Sequence, residues 1–136
     1  LTGKVDDLET KVGGQSIVGS ILYRLGLIKD YVVEYGSNAN GSYEKWESGK
    51  LVQRGRYTIS SLNTDYNAPF PIPFVDEDIT DINIIGNIVR SGGYNNFFSL
   101  LKGITADKAR FIVRAEMTTG TTTNFPFNWE AIGRWK

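Results

Sequence analysis

With 15 Lys plus Arg balanced by 15 Asp plus Glu over 136 residues, no net field draws this chain to nucleic acid or to anionic lipid. Cysteine and histidine are both absent, which removes disulfides, thiol nucleophiles, Ser–His triads and the usual zinc ligand sets; an enzyme here would be left with carboxylate, lysine or tyrosine chemistry. No apolar run approaches the ~20 residues that cross a bilayer and no signal-peptide pattern opens the chain, so neither membrane insertion nor a cofactor or metal is expected of this one-domain length.

Leu1, Val5, Leu8 and Val12 recur at spacings of four, three and four, an a/d seam with polar residues outside. Two heptads are too short for a stable lone helix, so the seam is read as the end of a longer coiled coil or as the first helix of a globular domain. Leu1 at the start, with Met117 the one methionine, is expected of the C-terminal part of a longer protein. After Gly13 and Gly14, the residues Ile17, Val18, Ile21, Leu22, Leu25 and Ile28 fall at helical spacing, and Gly26 is a stop signal. Residues 1–28 are therefore expected to form a coiled-coil stalk end and an apolar helical neck. Leu1, Val5, Leu8, Val12, Ile17, Ile21 and Leu25 are its candidate oligomerisation residues.

From residue 29 the texture is that of strands. Residues 30–35 are aromatic and β-branched, 36–41 read as a turn-forming loop, and 42–47 and 50–59 as a hairpin about Ser48 and Gly49. Residues 60–67 are expected to be polar loop. Pro69, Pro71 and Pro73 alternate through 68–74, which must be extended and outside any ladder. A strand over 79–89 is expected to break at Gly86, 91–96 to be a loop, and 97–101 to be short and apolar. Phe111, Val113 and Ala115 alternate with Arg110, Ile112 and Arg114, and a threonine-rich tip follows.

The closing stretch carries the plainest pattern. Phe127, Trp129, Ala131, Gly133 and Trp135 share one face, Asn128, Glu130, Ile132 and Arg134 the other. Such a strand belongs in the middle of a sheet or against a partner subunit, and Trp135 is placed with the oligomerisation candidates. Several short strands joined by Gly/Asn/Ser turns give an all-β class, an antiparallel β-sandwich, jelly-roll-like, over residues 29–136.

Three runs taken together resemble a known family: Trp46-Glu47-Ser48-Gly49-Lys50-Leu51-Val52-Gln53-Arg54-Gly55, then Pro71-Ile72-Pro73-Phe74, then Phe127-Asn128-Trp129-Glu130-Ala131-Ile132-Gly133. In this order they are similar to the C-terminal head of phage tail fibres and tail receptor-binding proteins. The run Asp30-Tyr31-Val32-Val33-Glu34-Tyr35-Gly36 looks like tail proteins of phages or prophages of Gram-positive hosts. The resemblance covers residues 29–136. It implies a homotrimer on a coiled-coil stalk at the virion tail tip, joined to upstream tail-fibre or baseplate segments and outside the cell. Its implied work is attachment to a host cell-surface glycan or protein receptor. A trimerisation or capping module without receptor contact is the alternative, and a carbohydrate-active enzyme fragment a third.

A glycan site needs aromatic planes beside Asn or Asp side chains that donate and accept. Three loops supply them: Asn38, Asn40 and Tyr43; Asp65, Tyr66 and Asn67; Tyr94, Asn95 and Asn96. The same residue types also simply solvate turns. Trp46 and Trp129, on strands, are read as core. Arg54 with Arg56 and Arg110 with Arg114 each share a strand face, suited either to an anionic polymer or to pairing with Glu44, Glu116 and Glu130 across strands. Asp76, Glu77, Asp78 and Asp81 form the densest acidic group, read as a solvated turn or an ion-paired one rather than a calcium loop.

Overall fold

The computed structural model describes residues 17–88, 97–117 and 124–136. Helix α1 (Ile17–Arg24) precedes strands β1 (Val32–Asn38), β2 (Gly41–Trp46), β3 (Lys50–Ile59) and β4 (Asp65–Pro69), a 3-10 turn (Ile79–Asp81), and strands β5 (Asn83–Ile88), β6 (Phe97–Ile104), β7 (Arg110–Met117) and β8 (Phe125–Arg134). All pairings among them are antiparallel, in a five-stranded sheet ordered β1-β2-β3-β8-β5 and a three-stranded sheet ordered β4-β7-β6. Among the described residues the architecture is thus mostly antiparallel β-sheet with one short helix, as the turn spacing suggested.

The period of two in β8 becomes a burial pattern. Phe125, Phe127, Trp129, Ala131 and Gly133 are buried and the residues between them are not. β8 lies between β3 and β5, so the middle-of-sheet expectation holds. β7 presents Phe111, Val113 and Ala115 to the same interior. The Phe111 ring centroid is 6.2 Å from that of Phe127 and 5.3 Å from that of Trp129, and Phe70 and Phe74 complete the aromatic cluster. Offset and edge-on rings at these separations add to the burial of their area. Gly86 sits opposite Trp129, and a Cβ there would lie 2.4 Å from the end of the Phe127 ring. The ring leans across the space that a side chain at 86 would fill.

Sequence and structure differ at four places. Residues 36–38 and Gly41 are strand, because the β1–β2 turn needs only Ala39 and Asn40. Asp65, Tyr66 and Asn67 are strand β4, paired with Arg114, Val113 and Ile112. Ala68 and Pro69 also enter that ladder, which a proline can do on an edge strand. β5 runs unbroken through Gly86, and what precedes it at Ile79–Asp81 is a 3-10 turn capped by Asp78.

Helix α1 ends as its glycine requires. Gly26 has φ +74°, the Leu27 N–H donates to Leu22 O and the Gly26 N–H to Tyr23 O, the paired bonds of a Schellman motif. Ile21, Leu25 and Leu27 remain 46 %, 66 % and 69 % exposed. Leu1, Val5, Leu8 and Val12 lie outside the described residues.

Three polar side chains tie the proline segment and the last strand to the sheet. Gln53, fully buried, donates from Nε2 to Ile72 O at 2.8 Å and accepts from Ile72 N at 2.9 Å. Asn38 donates to Pro71 O at 2.7 Å. Asp76, also buried, accepts the Arg134 N–H at 2.8 Å, and its backbone carbonyl accepts from Lys108.

Candidate functional site

The outer face of the five-stranded sheet carries polar side chains in register. Arg54 lies opposite Glu130, and Glu130 opposite Ile85. Arg54 Nε donates to Glu130 at 2.6 Å and Nη1 to Glu44 at 3.0 Å, so one guanidinium bridges three strands. The hydrogen bonds to Glu130 and then Glu44 hold its pKa above the ordinary arginine value. One row along, Arg56 lies opposite Asn128 and donates to it through Nε at 2.9 Å. Cross-strand pairing, one of the two readings of these arginines, is what Arg54 does. Arg114 does the same on the smaller sheet with Asp65 of β4 at 3.3 Å, and it also meets Glu116 of its own strand at 2.7 Å.

Two concavities flank Trp129. The larger, about 390 Å³, is lined by Arg54, Ile85, Gly86, Asn87, Asn128, Trp129 and Glu130. The smaller, about 230 Å³, is more enclosed and is lined by Ala39, Asn40, Arg56, Tyr57, Pro69 and Trp129. The second exists because β3 outruns β2. Their pairing ends at Ser42 opposite Arg54, after which Gly41 turns the chain away and the Asn40 carbonyl comes over Gly55. A Cβ at Gly55 would lie 2.5 Å from that carbonyl and 2.7 Å from the Trp129 ring. Glycine is what lets the indole and the turn share this corner.

The nine glycan candidates do not form one surface. Asn40 lines the smaller concavity, where its Nδ2 makes a long 3.5 Å contact to Phe70 O. Asn38 is engaged structurally, through Pro71 and through the Asn40 N–H that its Oδ1 accepts at 2.9 Å. Tyr43 is half-buried, its ring filling the space over Gly36; burial and a hydrogen bond with Glu34 push its phenol pKa up. Asp65 pairs with Lys102 at 2.9 Å and with Arg114, contacts that hold its carboxyl below the ordinary range. Tyr66 is half-buried, 6.1 Å from Tyr57 between ring centroids, and its hydroxyl meets Ser60 Oγ at 3.0 Å; Asn67 is exposed beside it. Tyr94, Asn95 and Asn96 lie outside the described residues. Trp135 is engaged within its own chain, donating from Nε1 to Trp46 O at 2.8 Å, with Lys45 and Lys136 over its ring.

Sequence reasoning did not single out Tyr57, and it read Pro69 only as part of the extended proline run. Only β3 overhanging β2 brings them beside Asn40 and Arg56. The acidic run is dispersed: Asp76 is turned inward to the Arg134 N–H and Asp78 caps the 3-10 turn. Among the described residues no group of three carboxylates could hold a metal ion, and no helix is long and apolar enough to cross a membrane.

No protein-family model and no curated protein matches the sequence. Solved structures do match its shape. The Pseudomonas aeruginosa R1 pyocin fibre comprising C-terminal residues 323–701 aligns over 88 % of this chain and 32 % of its own, with TM-score 0.56 and 15 % identity. An N-truncated R1-type pyocin tail fibre aligns over 89 % of this chain and 98 % of its own, with TM-score 0.55 and 15 % identity. The fold is like that of pyocin tail-fibre ends. At this identity the likeness concerns the fold, and the chain spans about a third of the longer fibre fragment. The fibre-like fold bears out the general shape that the three sequence runs implied. The Gram-positive host gains nothing from these neighbours.

Proposed function

We propose that this chain is the receptor-binding head of a phage-type tail fibre, a β-sandwich carried as a homotrimer on a coiled-coil stalk at the virion tail tip. It attaches the particle to a host cell-surface receptor, a glycan by preference. The observation that carries the reading is the fibre-like fold over nearly nine-tenths of the chain, 88 % and 89 % in the two alignments. The exposed Ile21, Leu25 and Leu27 of the neck support association with further copies, since a helix face of this kind is ordinarily covered. Three shallow sites on one knob, and many knobs on one particle, raise avidity by orders of magnitude, about 10²–10⁴ for two linked sites alone. Deep pockets are unnecessary under that arithmetic.

The head works by binding and not by catalysis. In support, Glu130, the carboxylate lining a concavity, is held at 2.6 Å by Arg54. Glycoside hydrolysis asks for one carboxyl with a raised pKa, whereas Asp30, Glu34, Asp65, Asp78 and Asp107 are all lowered.

The test is adsorption of fluorescently labelled protein to a panel of bacterial cells, with and without periodate treatment of their surface sugars. Saturable binding that periodate abolishes is expected. Binding to none of the cells, together with failure to block adsorption of the parent particle, would refute the receptor-binding reading in favour of a capping module. Release of reducing sugar from the cells would refute the non-catalytic one.

A further inference from the structure

We infer that the smaller concavity, between the β1–β2 turn and the end of β4, takes a single sugar unit bearing a carboxylate or a phosphate, with Arg56 as the anion-recognising group. The inference rests on the glycan-binding reading above and names the class of sugar it would hold.

Charge is the first argument. The residues around the larger concavity include Arg54 and Glu130, and Arg54 is answered by two carboxylates. Among the described residues the lining of the smaller one holds a single charged side chain, Arg56, and no acid. Arg56 is exposed, and its protein contact is the hydrogen bond from Nε to Asn128. Both terminal nitrogens are left without a partner among the described residues. Asn128 itself is fixed by its place in β8, so the guanidinium is anchored at Nε with its outer edge facing solvent. A planar fork held in that way matches the two oxygens of a carboxylate or phosphate.

The other walls suit the rest of a sugar. Tyr57 and Pro69 give flat apolar surface for a ring face, with the Trp129 edge behind them. Among the described residues no donor occupies the Asn40 side-chain oxygen and the Tyr57 hydroxyl makes no hydrogen bond, so both can meet ring hydroxyls. A volume of about 230 Å³ lies below the roughly 300–1,000 Å³ of sites for drug-sized ligands, which limits the occupant to one ring.

Saturation-transfer NMR with glucuronate, glucose 6-phosphate and glucose, with inorganic phosphate added as a competitor of the bound sugar, tests this on the full chain. At least one anionic sugar is expected to bind, with glucose and inorganic phosphate much weaker; which of the two sugars wins decides between carboxylate and phosphate. Arg56→Gln is expected to weaken that binding roughly ten- to hundredfold, as loss of a charged hydrogen-bonding group does. Arg56→Lys keeps the charge without the fork and should recover only part. Glucose binding as well as the anionic sugars, phosphate alone binding as well as the sugar phosphate, or undiminished binding by a folded Arg56→Gln protein would each overturn the inference. Cell adsorption that survives Arg56→Gln unchanged would overturn this site's part in attachment and leave the receptor-binding reading intact. Sugar binding without any cell adsorption would do the reverse.

Discussion

Replacing Gln53 by leucine removes a polar clamp while keeping the volume of the buried side chain. The amide makes two hydrogen bonds to one peptide group, Ile72, at 2.8 and 2.9 Å, from a side chain with no exposed surface. In Gln53→Leu the Ile72 N–H and C=O lose their partners. Leaving a buried polar group unsatisfied costs about 1–3 kcal/mol, so two such groups cost about 2–6 kcal/mol. Leucine offsets about 1–2 kcal/mol of this, because no side-chain amide is then held away from water. The net destabilisation is about 1–4 kcal/mol. With an m-value of about 1.5 kcal/mol/M in urea, the unfolding midpoint should fall by about 0.7–2.7 M. The assay is urea unfolding followed by tryptophan fluorescence at one fixed protein concentration, since association shifts apparent stability. Gln53→Glu is the informative partner: its carboxylate can still accept from Ile72 N but faces Ile72 O with no proton to give. Its folded-state pKa is then raised above the unfolded value. The variant should be destabilised at neutral pH and regain stability as pH falls through the folded pKa. A Gln53→Leu midpoint within about 0.3 M of wild type, at unchanged m, would refute the claim that this clamp holds the proline segment on the sheet.

Gly86→Ala should destabilise by about 1–3 kcal/mol, the usual cost of overpacking, because the new methyl meets Phe127 and the Asn128 carbonyl at 2.4 and 2.8 Å; calorimetry reads it as a lowered Tm, and an unchanged Tm would mean the ring has somewhere else to go. A double-mutant cycle on Arg54 and Glu130 should give a coupling of no more than about 1 kcal/mol at 0.15 M salt, since the Arg54 side chain is 50 % exposed and solvent screens the pair; several kcal/mol would show the pair to be covered in the assembled protein. Asp30 and Glu34 both have lowered pKa values. For Glu34 the main cause is Lys45, while at Asp30 the hydrogen bonds from Ser48 and Tyr31 outweigh the opposing effect of burial. Their stabilisation is present above the unfolded values, near 4, and is lost as pH falls through the folded ones. The Tm should therefore be level from about pH 7 to 5 and drop below about pH 4, and an equal Tm at pH 6 and pH 3 would contradict those shifts.

The strongest local signal in the sequence proved to be the centre of the fold. β8 and β7 carry alternation that burial reproduces residue by residue, and the Gly26 stop sits where the helix ends. What stayed illegible depends on distance in space between parts far apart in the chain. Nothing in residues 36–41 says that two residues suffice for the turn, because strand and loop there share the same glycines, serines and asparagines. Gly86 looked like a break and is a close approach, a difference set by a ring 41 positions away at Phe127. Gln53 shares the inward face with Leu51, yet nothing local names its partner, Ile72, on the proline run 19 positions away. The smaller concavity is less legible still: Asn40, Arg56, Pro69 and Trp129 come from four elements, and only the differing lengths of β2 and β3 bring them to one corner.

β8 is the last of the eight strands among the described residues and pairs with β3 across as many as 84 positions, Lys50 to Arg134, while forming the ladder that joins β3 to β5. Such distant pairing makes for slow folding. A ribosome making this chain thus delivers β8 after both strands it pairs with, and a product cut short before Phe125 would leave β5 without its ladder partner and β3 with an open edge for proteases.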